Sequence, residues 1–443
     1  MPKKTTKSVV KKDEEEPKRK VRTPKLLRGF KDILPEDQAY WDKVTDTARA
    51  ISNAYSFGHI RLPILENVKL FNRTIKGSDI VEKEMFEFED KGGDKVTLRP
   101  EATAQMARAY INHGMINQTQ PVKLWCMGPM FRYDRPQAGR YRQFWQWDAE
   151  AIGSEDPVID AQMILMVHRF MQECGLDVVI KINSIGTPDS RREYLMELVS
   201  YFKQFRRKLS DVDKKRLTKN PLRLLDSKEE GMAELKAEAP QILDWLDESS
   251  KQHFMKVLEY LDEAEVPYEL DPFLVRGLDY YQKTVFEVVP VKESHRSMGS
   301  LGGGGRYDGL VELLGGREES DGGMGFGIGI ERVILAMKEA GVELPKRRSA
   351  DVFFCQLGDA ARRKGLMLFE DFRKEGVSIM EAFGKGSLKA QLEMADKHKT
   401  KIALILGQKE VLDGTIIIRD MESGGQEIVD IKKVVSLAKK AIK

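Results

Sequence analysis

The sequence predicts an α+β chain: an antiparallel sheet region, a helical stretch set inside it, and a smaller α/β unit at the C-terminal end. Three observations carry this. Strand-like segments cluster at 60–64, 84–89, 95–98, 122–133 and 141–152, and short turns such as KGGD at 91–94 suit antiparallel pairs. From about 188 to 270 the chain becomes charged, rich in Leu, Glu and Lys, and helical in spacing throughout. After GVELPKRRSA, buried-strand and helix patterns alternate to the last residue, which indicates an α/β unit.

In order along the chain, residues 1–24 have little apolar content and mixed Lys/Glu blocks, the signature of a disordered charged tail. Residues 25–187 open with an amphipathic helix over 38–56, continue through the strands above and reach a helix over 158–174. The stretch 188–270 reads as a helical insertion, and strands and glycines return over 271–340, ending in a helix from about 330 to 340. Residues 341–350 are the expected linker. In 351–443, DVFFCQL is a buried strand, 359–375 a helix and 401–406 a second buried strand, followed by two shorter strands and a terminal helix.

A chain of 443 residues exceeds one compact core, so two or three domains are expected. No apolar run approaches the roughly 18 residues that would suggest a membrane span, and the Lys-rich start has no hydrophobic stretch of a secretory signal behind it. Cys126, Cys174 and Cys355 lie far apart and form no CxxC pair, which argues against a disulfide framework and against any metal site built from Cys and His. A reducing compartment, the cytoplasm, is expected. The net charge is +3, with +6 in residues 1–25, +6 in 346–443 and −9 between them. A polyanion would have to be gripped by local basic patches rather than by the field of the whole molecule.

Two segments carry the densest chemistry. In FRYDRPQAGRYRQFWQWDAEAIG (131–153), a strand, a loop and a strand follow one another, and alternation places Phe144, Gln146, Asp148 and Glu150 on one face of the second strand. Trp145, Trp147 and Ala149 take the other face, the core side. Arg132 and Asp134 share a face of the first strand, and the loop adds Arg135, Gln137, Arg140 and Arg142. A planar aromatic ring among converging guanidiniums suits a purine and its phosphates. In GGMGFGIGIERVILAMK (322–338), glycines alternate with Met324, Phe326, Ile328 and Ile330, leaving one strand face bare for a nucleotide or another backbone, and Arg332 follows in the first helical turn. VRGLDYYQKTVFE (275–287) sets Arg276 before the Tyr280–Tyr281 pair, and SLGGGGRYDGLVELLGG (300–316) is read as a glycine turn followed by Arg306, Tyr307 and Asp308.

Together with LRGFKDILPED (27–37), these segments resemble the signature motifs of class II aminoacyl-tRNA synthetases, and VRGLDYY and GGGRYDGL are similar to those of the histidyl-tRNA synthetase family. The resemblance runs in order from Leu27 to the C-terminus. It implies an antiparallel sheet flanked by helices, a helical insertion, a C-terminal α/β anticodon-binding domain, a homodimer, and ATP-dependent transfer of L-histidine to tRNA(His) with Mg²⁺. By this resemblance Arg132 and Arg276 are catalytic. Glu101 and Thr103 of RPEAT, with Gln146, would hold the substrate ammonium, while Glu150, Tyr280, Tyr281 and Tyr307 would belong to the histidine pocket. Asp134, Arg140, Tyr141, Phe144 and Arg332 would join Arg132 around ATP, Phe144 stacking on the base and Arg332 meeting the terminal phosphates. Arg135 and Gln137, flanking Pro136, would reach the acceptor end of the tRNA.

Asp134 stands where many relatives carry Glu, Ala102 replaces a frequent Gly, Gln282 and Lys283 depart from a frequent Thr-Gly, and Trp145 and Asp148 are unusual. None of these removes a charged catalytic group. The basic run from Lys203 to Arg223, nine Lys/Arg against two Asp, reads either as a solvated helix face or as a track for acceptor-stem phosphates. The rival to an enzyme is a non-catalytic, synthetase-like regulatory subunit of ATP phosphoribosyltransferase. Such proteins typically lack the anticodon domain and the catalytic arginine.

Overall fold

The computed structural model describes residues 23–75, 78–137, 139–227, 229, 231–291, 299–317, 322–344, 350–384 and 386–442. Most of the expected tail and residues 345–349 of the expected linker lie outside them. The chain divides into two compact units, Met1–Glu343 and Leu344–Lys443.

In the first unit the strands are β1 (Gly58–His59), β2 (Leu65–Asn67), β3 (Phe86–Glu89), β4 (Lys95–Leu98), β5 (Val122–Phe131), β6 (Gln143–Ile152), β7 (Val178–Ser184), β8 (Tyr268–Leu270), β9 (Gln282–Pro290), β10 (Gly302–Arg306) and β11 (Gly323–Gly329). The helices are α1 (Gln38–Ala54), α2 (Val68–Thr74), α3 (Thr103–Asn112), α4 (Pro157–Glu173), α5 (Pro188–Gln204), α6 (Asp211–Lys219), α7 (Met232–Ala237), α8 (Glu248–Glu263), α9 (Leu310–Leu313) and α10 (Ile330–Glu339). Eight strands form one sheet in the order β1-β5-β6-β11-β10-β9-β7-β8. It is antiparallel except at its edges, where β1 runs parallel to β5 and β8 parallel to β7. Strands β2, β4 and β3 make a small antiparallel sheet.

Local sequence explains where the long helices start. Asp156 and Asp247 accept from the backbone N–H groups of Val158 (3.0 Å) and Ser250 (2.8 Å), capping α4 and α8, and Pro157 and Pro188 occupy the first turn of α4 and α5, where a missing N–H is harmless. One face of the sheet is core: Trp147 is fully buried, its ring 4.7 Å from that of Phe170 and 4.8 Å from that of Phe326. The opposite face of β6 and β11, with Gln146, Asp148 and the bare Gly327 and Gly329, borders a cavity. The alternation read from the sequence holds on both strands.

Three expectations need correction. The segment 60–64 is not a strand but the connection between β1 and β2, and Pro63, which has no N–H to give a ladder, sits in it. GGGG is not a turn. It is β10, paired with β9 and β11 on its two sides, where a Cβ on Gly304 would press on the backbone of Gly325 and Phe326. The stretch 188–270 is not helical throughout, because it ends in β8 on the sheet edge. Within it, Tyr194, Leu198, Phe202, Leu217 and Leu224 share one apolar cluster with Tyr280, Tyr281, Val285 and Tyr307. The helical stretch thereby buttresses one wall of the cavity.

The second unit holds β12 (Val352–Gln356), α11 (Asp359–Lys374), β13 (Ile379–Glu381), α12 (Leu388–Lys397), β14 (Ile402–Leu406), α13 (Gln408–Asp413), β15 (Thr415–Asp420), β16 (Gln426–Asp430) and α14 (Val434–Ala441). Its sheet order is β13-β12-β14-β15-β16, with β12 parallel to both neighbours and the rest antiparallel. Val352, Phe354, Leu404 and Leu406 lie in its core, as their buried-strand pattern predicts.

Candidate active site

A cavity of about 410 Å³ opens in the first unit. Side chains from widely separated segments line it: Glu101 and Thr103 before and at the start of α3, Arg132 after β5, Gln146 and Asp148 on β6, Arg276, Tyr280 and Tyr281 before β9, and Arg332 on α10. Asp134, Arg140, Tyr141 and Phe144 line it as well.

Each cation is aimed by a fixed acceptor. Arg132 Nε donates to the Pro100 carbonyl at 2.8 Å, and its guanidinium lies 5.3 Å from the centre of the Phe144 ring. Arg276 Nη1 donates to Glu287 Oε1 at 2.8 Å, and its guanidinium sits 5.8 Å from the Tyr281 ring, while its buried Nε has no partner among the described residues. Arg332 Nε donates to the Gly139 carbonyl at 3.2 Å, and its Nη1 to the Ser300 carbonyl. Burial, reinforced by the charges of Arg140 and Arg132, pulls the Arg332 guanidinium's pKa down. Clustered cations destabilised in this way favour an arriving polyanion. Arg140 is the looser member, 3.3 Å from Asp134 Oδ2.

The acids sit deeper. Glu101 accepts from the backbone N–H of Thr103 at 2.7 Å and of Ala104 at 3.1 Å, closing the first turn of α3. Glu150 is fully buried and takes the Thr103 hydroxyl at 2.6 Å, and a Cβ on the facing Gly325 would overlap its carboxylate. Burial pushes the pKa of all three acids, Glu101, Asp148 and Glu150, upward. Asp148 rises to about 8, with the charge of Glu101 adding to the effect, and Glu150 rises well above the carboxylate range. Among the described residues, buried Asp148 Oδ2 and Gln146 Oε1 have no hydrogen-bond partner. Buried polar groups in folded proteins are as a rule satisfied, so such a pair beside a cavity points to a polar ligand.

Among the described residues no three acids, histidines or cysteines come together as a metal site, and no helix is long and apolar enough to cross a membrane. Cys126, Cys174 and Cys355 are free and buried.

The histidyl-tRNA synthetase model matches residues 29–333, and a model of an anticodon binding domain matches 351–441. The chain belongs to the histidyl-tRNA synthetase family. Histidine–tRNA ligase of Dehalococcoides mccartyi (strain 195) is 43% identical over 417 residues, 94% of this chain and 99% of that protein. The Natranaerobius thermophilus histidine–tRNA ligase is 42% identical over 411 residues, 92% and 97% of the two chains. The crystal structure of apo S. aureus histidyl-tRNA synthetase has a TM-score of 0.78 at 37% identity and covers 94% of this chain and all of its own. The fold is that of a class II synthetase, an antiparallel sheet flanked by helices with a C-terminal anticodon-binding domain.

In this histidyl-tRNA synthetase family member, the residues to which the resemblance gave a substrate role meet at the cavity, with four exceptions. Glu150 stands one layer behind it, tied to it through Thr103. Tyr307 is buried beneath it, its ring 6.0 Å from that of Tyr280. Arg135 and Gln137 do not line it. They lie exposed in the loop between β5 and β6, where Gln137 and Arg140 exchange backbone hydrogen bonds. Asp134 and Arg132 lie just beyond the end of β5, so their common orientation comes from the loop rather than from strand parity. The sequence reading missed Glu84, Glu287, Arg223 and Asp226, which also line the cavity. Glu287 could have been found: it faces the glycine strand at Gly303 on β9. Arg223 and Asp226 enter from the helical stretch and carry no local signal.

Proposed function

We propose that this cavity holds L-histidine and ATP side by side. The chain is a histidine–tRNA ligase, a class II aminoacyl-tRNA synthetase that activates L-histidine with ATP to histidyl-adenylate and transfers the histidyl group to tRNA(His). A substrate carboxylate oxygen attacks the α-phosphorus, the bond to the β-phosphate oxygen breaks, and pyrophosphate leaves. Negative charge gathers on the phosphorus oxygens, so the chain's task is positioning and fixed positive charge. Arg132 and Arg276 supply donors at that centre, Arg332 and Arg140 meet the outgoing phosphates, and Phe144, Tyr141 and Asp134 hold the rest of the nucleotide. Glu101, Thr103 and Gln146 take the ammonium. Glu150, Tyr281, Tyr280 and Tyr307 set the polarity around the imidazole, whose two ring nitrogens differ in role.

The observation that carries this reading is that Arg132, Arg276, Arg332 and Tyr281 line one cavity together with Glu101 and Gln146. Mg²⁺ binds through one or two carboxylates plus substrate phosphates and keeps several waters. Glu84 and Asp134 fit that need: both line the cavity, and Asp134 is close enough to help burial raise the Glu84 pKa. The ion would neutralise leaving-group charge. Arg135 and Gln137, exposed on their loop, are assigned to the tRNA acceptor end, and a cytoplasmic homodimer completes the reading.

The test is ATP–pyrophosphate exchange by the purified chain with each of the twenty amino acids. Exchange should appear with histidine alone. Its absence with histidine, while histidine still binds, would instead support the regulatory-subunit alternative, against which the retained Arg276 and the anticodon-domain match already stand.

A further inference from the structure

We propose that Asp148 is a further substrate-positioning residue, standing with Gln146 and Glu101 as the receptor for the α-ammonium group of the bound amino acid. This rests on the histidine-activating reading of the cavity.

Asp148 lies on β6 two residues after Gln146 and two before Glu150, and it pairs across to Cys126 and Gly327. It is 3% exposed yet contributes to the cavity wall. Its facing residue is a glycine, and a Cβ at Gly327 would stand 2.8 Å from Asp148 Oδ1 and 2.9 Å from Gln146 Nε2. The bare position therefore leaves room for this pair of side chains beside the cavity. Two acceptors on the same strand face, Gln146 Oε1 and Asp148 Oδ2, are buried without partners among the described residues.

Nearby cations do not account for the carboxylate. Arg99 points its Nε at the Pro129 carbonyl (2.8 Å) and its Nη1 at the Leu62 carbonyl (3.1 Å), and Arg132 points its Nε at Pro100. Among the described residues neither makes an ion pair with Asp148. Burial and the charge of Glu101 raise the Asp148 pKa to about 8 against the opposite pull of Arg99 and Arg132. A buried carboxylate in this state opposes folding. An ammonium reverses every part of that: it offers three N–H donors, and a positive charge that favours the ionised carboxylate, to a place with orphan acceptors. An amino acid presents that group next to the carboxylate that Arg132 and Arg276 are there to guide.

The variant is Asp148→Asn, nearly isosteric and uncharged. In histidine-dependent pyrophosphate exchange, KM for histidine should rise on the order of 10–100-fold, as for loss of a hydrogen bond to a charged group, with KM for ATP unchanged. Two probes separate the ends of the substrate. Histidinol keeps the ammonium and lacks the carboxylate, and imidazolepropionate has the reverse. Histidinol affinity should fall by the same factor as histidine affinity, and imidazolepropionate affinity should stay level. The ligand-free variant should melt no lower than the parent. Equal loss of both probes with a lower melting temperature would mean a structural role and would overturn the proposal, as would unchanged histidinol binding. If Asp148→Asn does not fold, Asp148→Ser takes the same comparison. Glu101→Gln separates the two levels of inference. If it discriminates between the probes and the Asp148 variants do not, only the Asp148 assignment fails. If neither does, the histidine reading of this cavity fails.

Discussion

Arg276 combines two properties that separate folding from chemistry. Among the described residues its guanidinium makes one ion pair, to Glu287 at 2.8 Å, and its Nε has no hydrogen-bond partner. Glu287 is 29% exposed even with the pair in place, so removing Arg276 strands no carboxylate in the interior. Arg276→Ala should therefore fold and keep its melting temperature near the parent's, while adenylation falls on the order of 10²–10³, the usual effect of deleting one preorganised donor. Pyrophosphate exchange at the parental rate would remove Arg276 from the catalytic set. Arg306, the arginine of GGGGRYD, is a contrast. It is fully buried between Asp160, which also pairs with His253 at 2.8 Å, and Asp308, so its role is to hold β10 to α4. Both arginines follow glycine-rich or turn-like sequence, and only burial and partners tell them apart.

At the level of elements, legibility followed side chains. β6 was readable because Trp145 and Trp147 alternate with Phe144, Gln146 and Asp148, and the period of two survives into the fold. α2 and α3 were not anticipated, since at seven and ten residues they are shorter than the window of roughly 11–18 residues in which a helical period shows. β10 was misread for a simpler reason: four glycines have no side chains to show a period, and glycine usually signals a turn. The wall formed by Arg223 and Asp226 was illegible because its partners, Asp79 and Arg276, lie far off in sequence. The strand assignment can be tested. A Cβ on Gly304 would meet the backbone of β11, so Gly304→Ala should destabilise the fold by at least ~1–3 kcal/mol through overpacking. Gly386, whose Cβ would meet nothing within 4 Å, is the control, and Gly386→Ala should stay within about 0.5 kcal/mol. Chemical denaturation midpoints compare the two. Equal midpoints would mean β10 can open to admit a methyl group, contrary to a close-packed centre.

For the molecule as a whole, a net charge of +3 with −9 in its middle cannot by itself attract a nucleic acid, so tRNA must find local positive surface. Apart from Lys208, which lies over the Phe205 ring at 5.7 Å, the basic run from Lys203 to Arg223 separates into two classes. Lys214, Arg216, Lys219 and Arg223 pair with Asp211, Asp213, Glu82 and Asp79 at 3.0–3.7 Å, which offsets part of their charge. Lys203, Arg206, Arg207 and Lys215 are exposed, with no acidic partner among the described residues. If acceptor-stem phosphates run along this surface, the second class meets them. Replacing these four by Ala should weaken tRNA binding and lower the dependence of log Kd on log salt by roughly one for each phosphate left without its cation. Histidine-dependent pyrophosphate exchange, which needs no tRNA, should be untouched. The distinction lies in the slope: a variant that binds more weakly at every salt concentration with an unchanged slope is altered in shape rather than in phosphate neutralisation, and the track would then have to lie elsewhere on the chain.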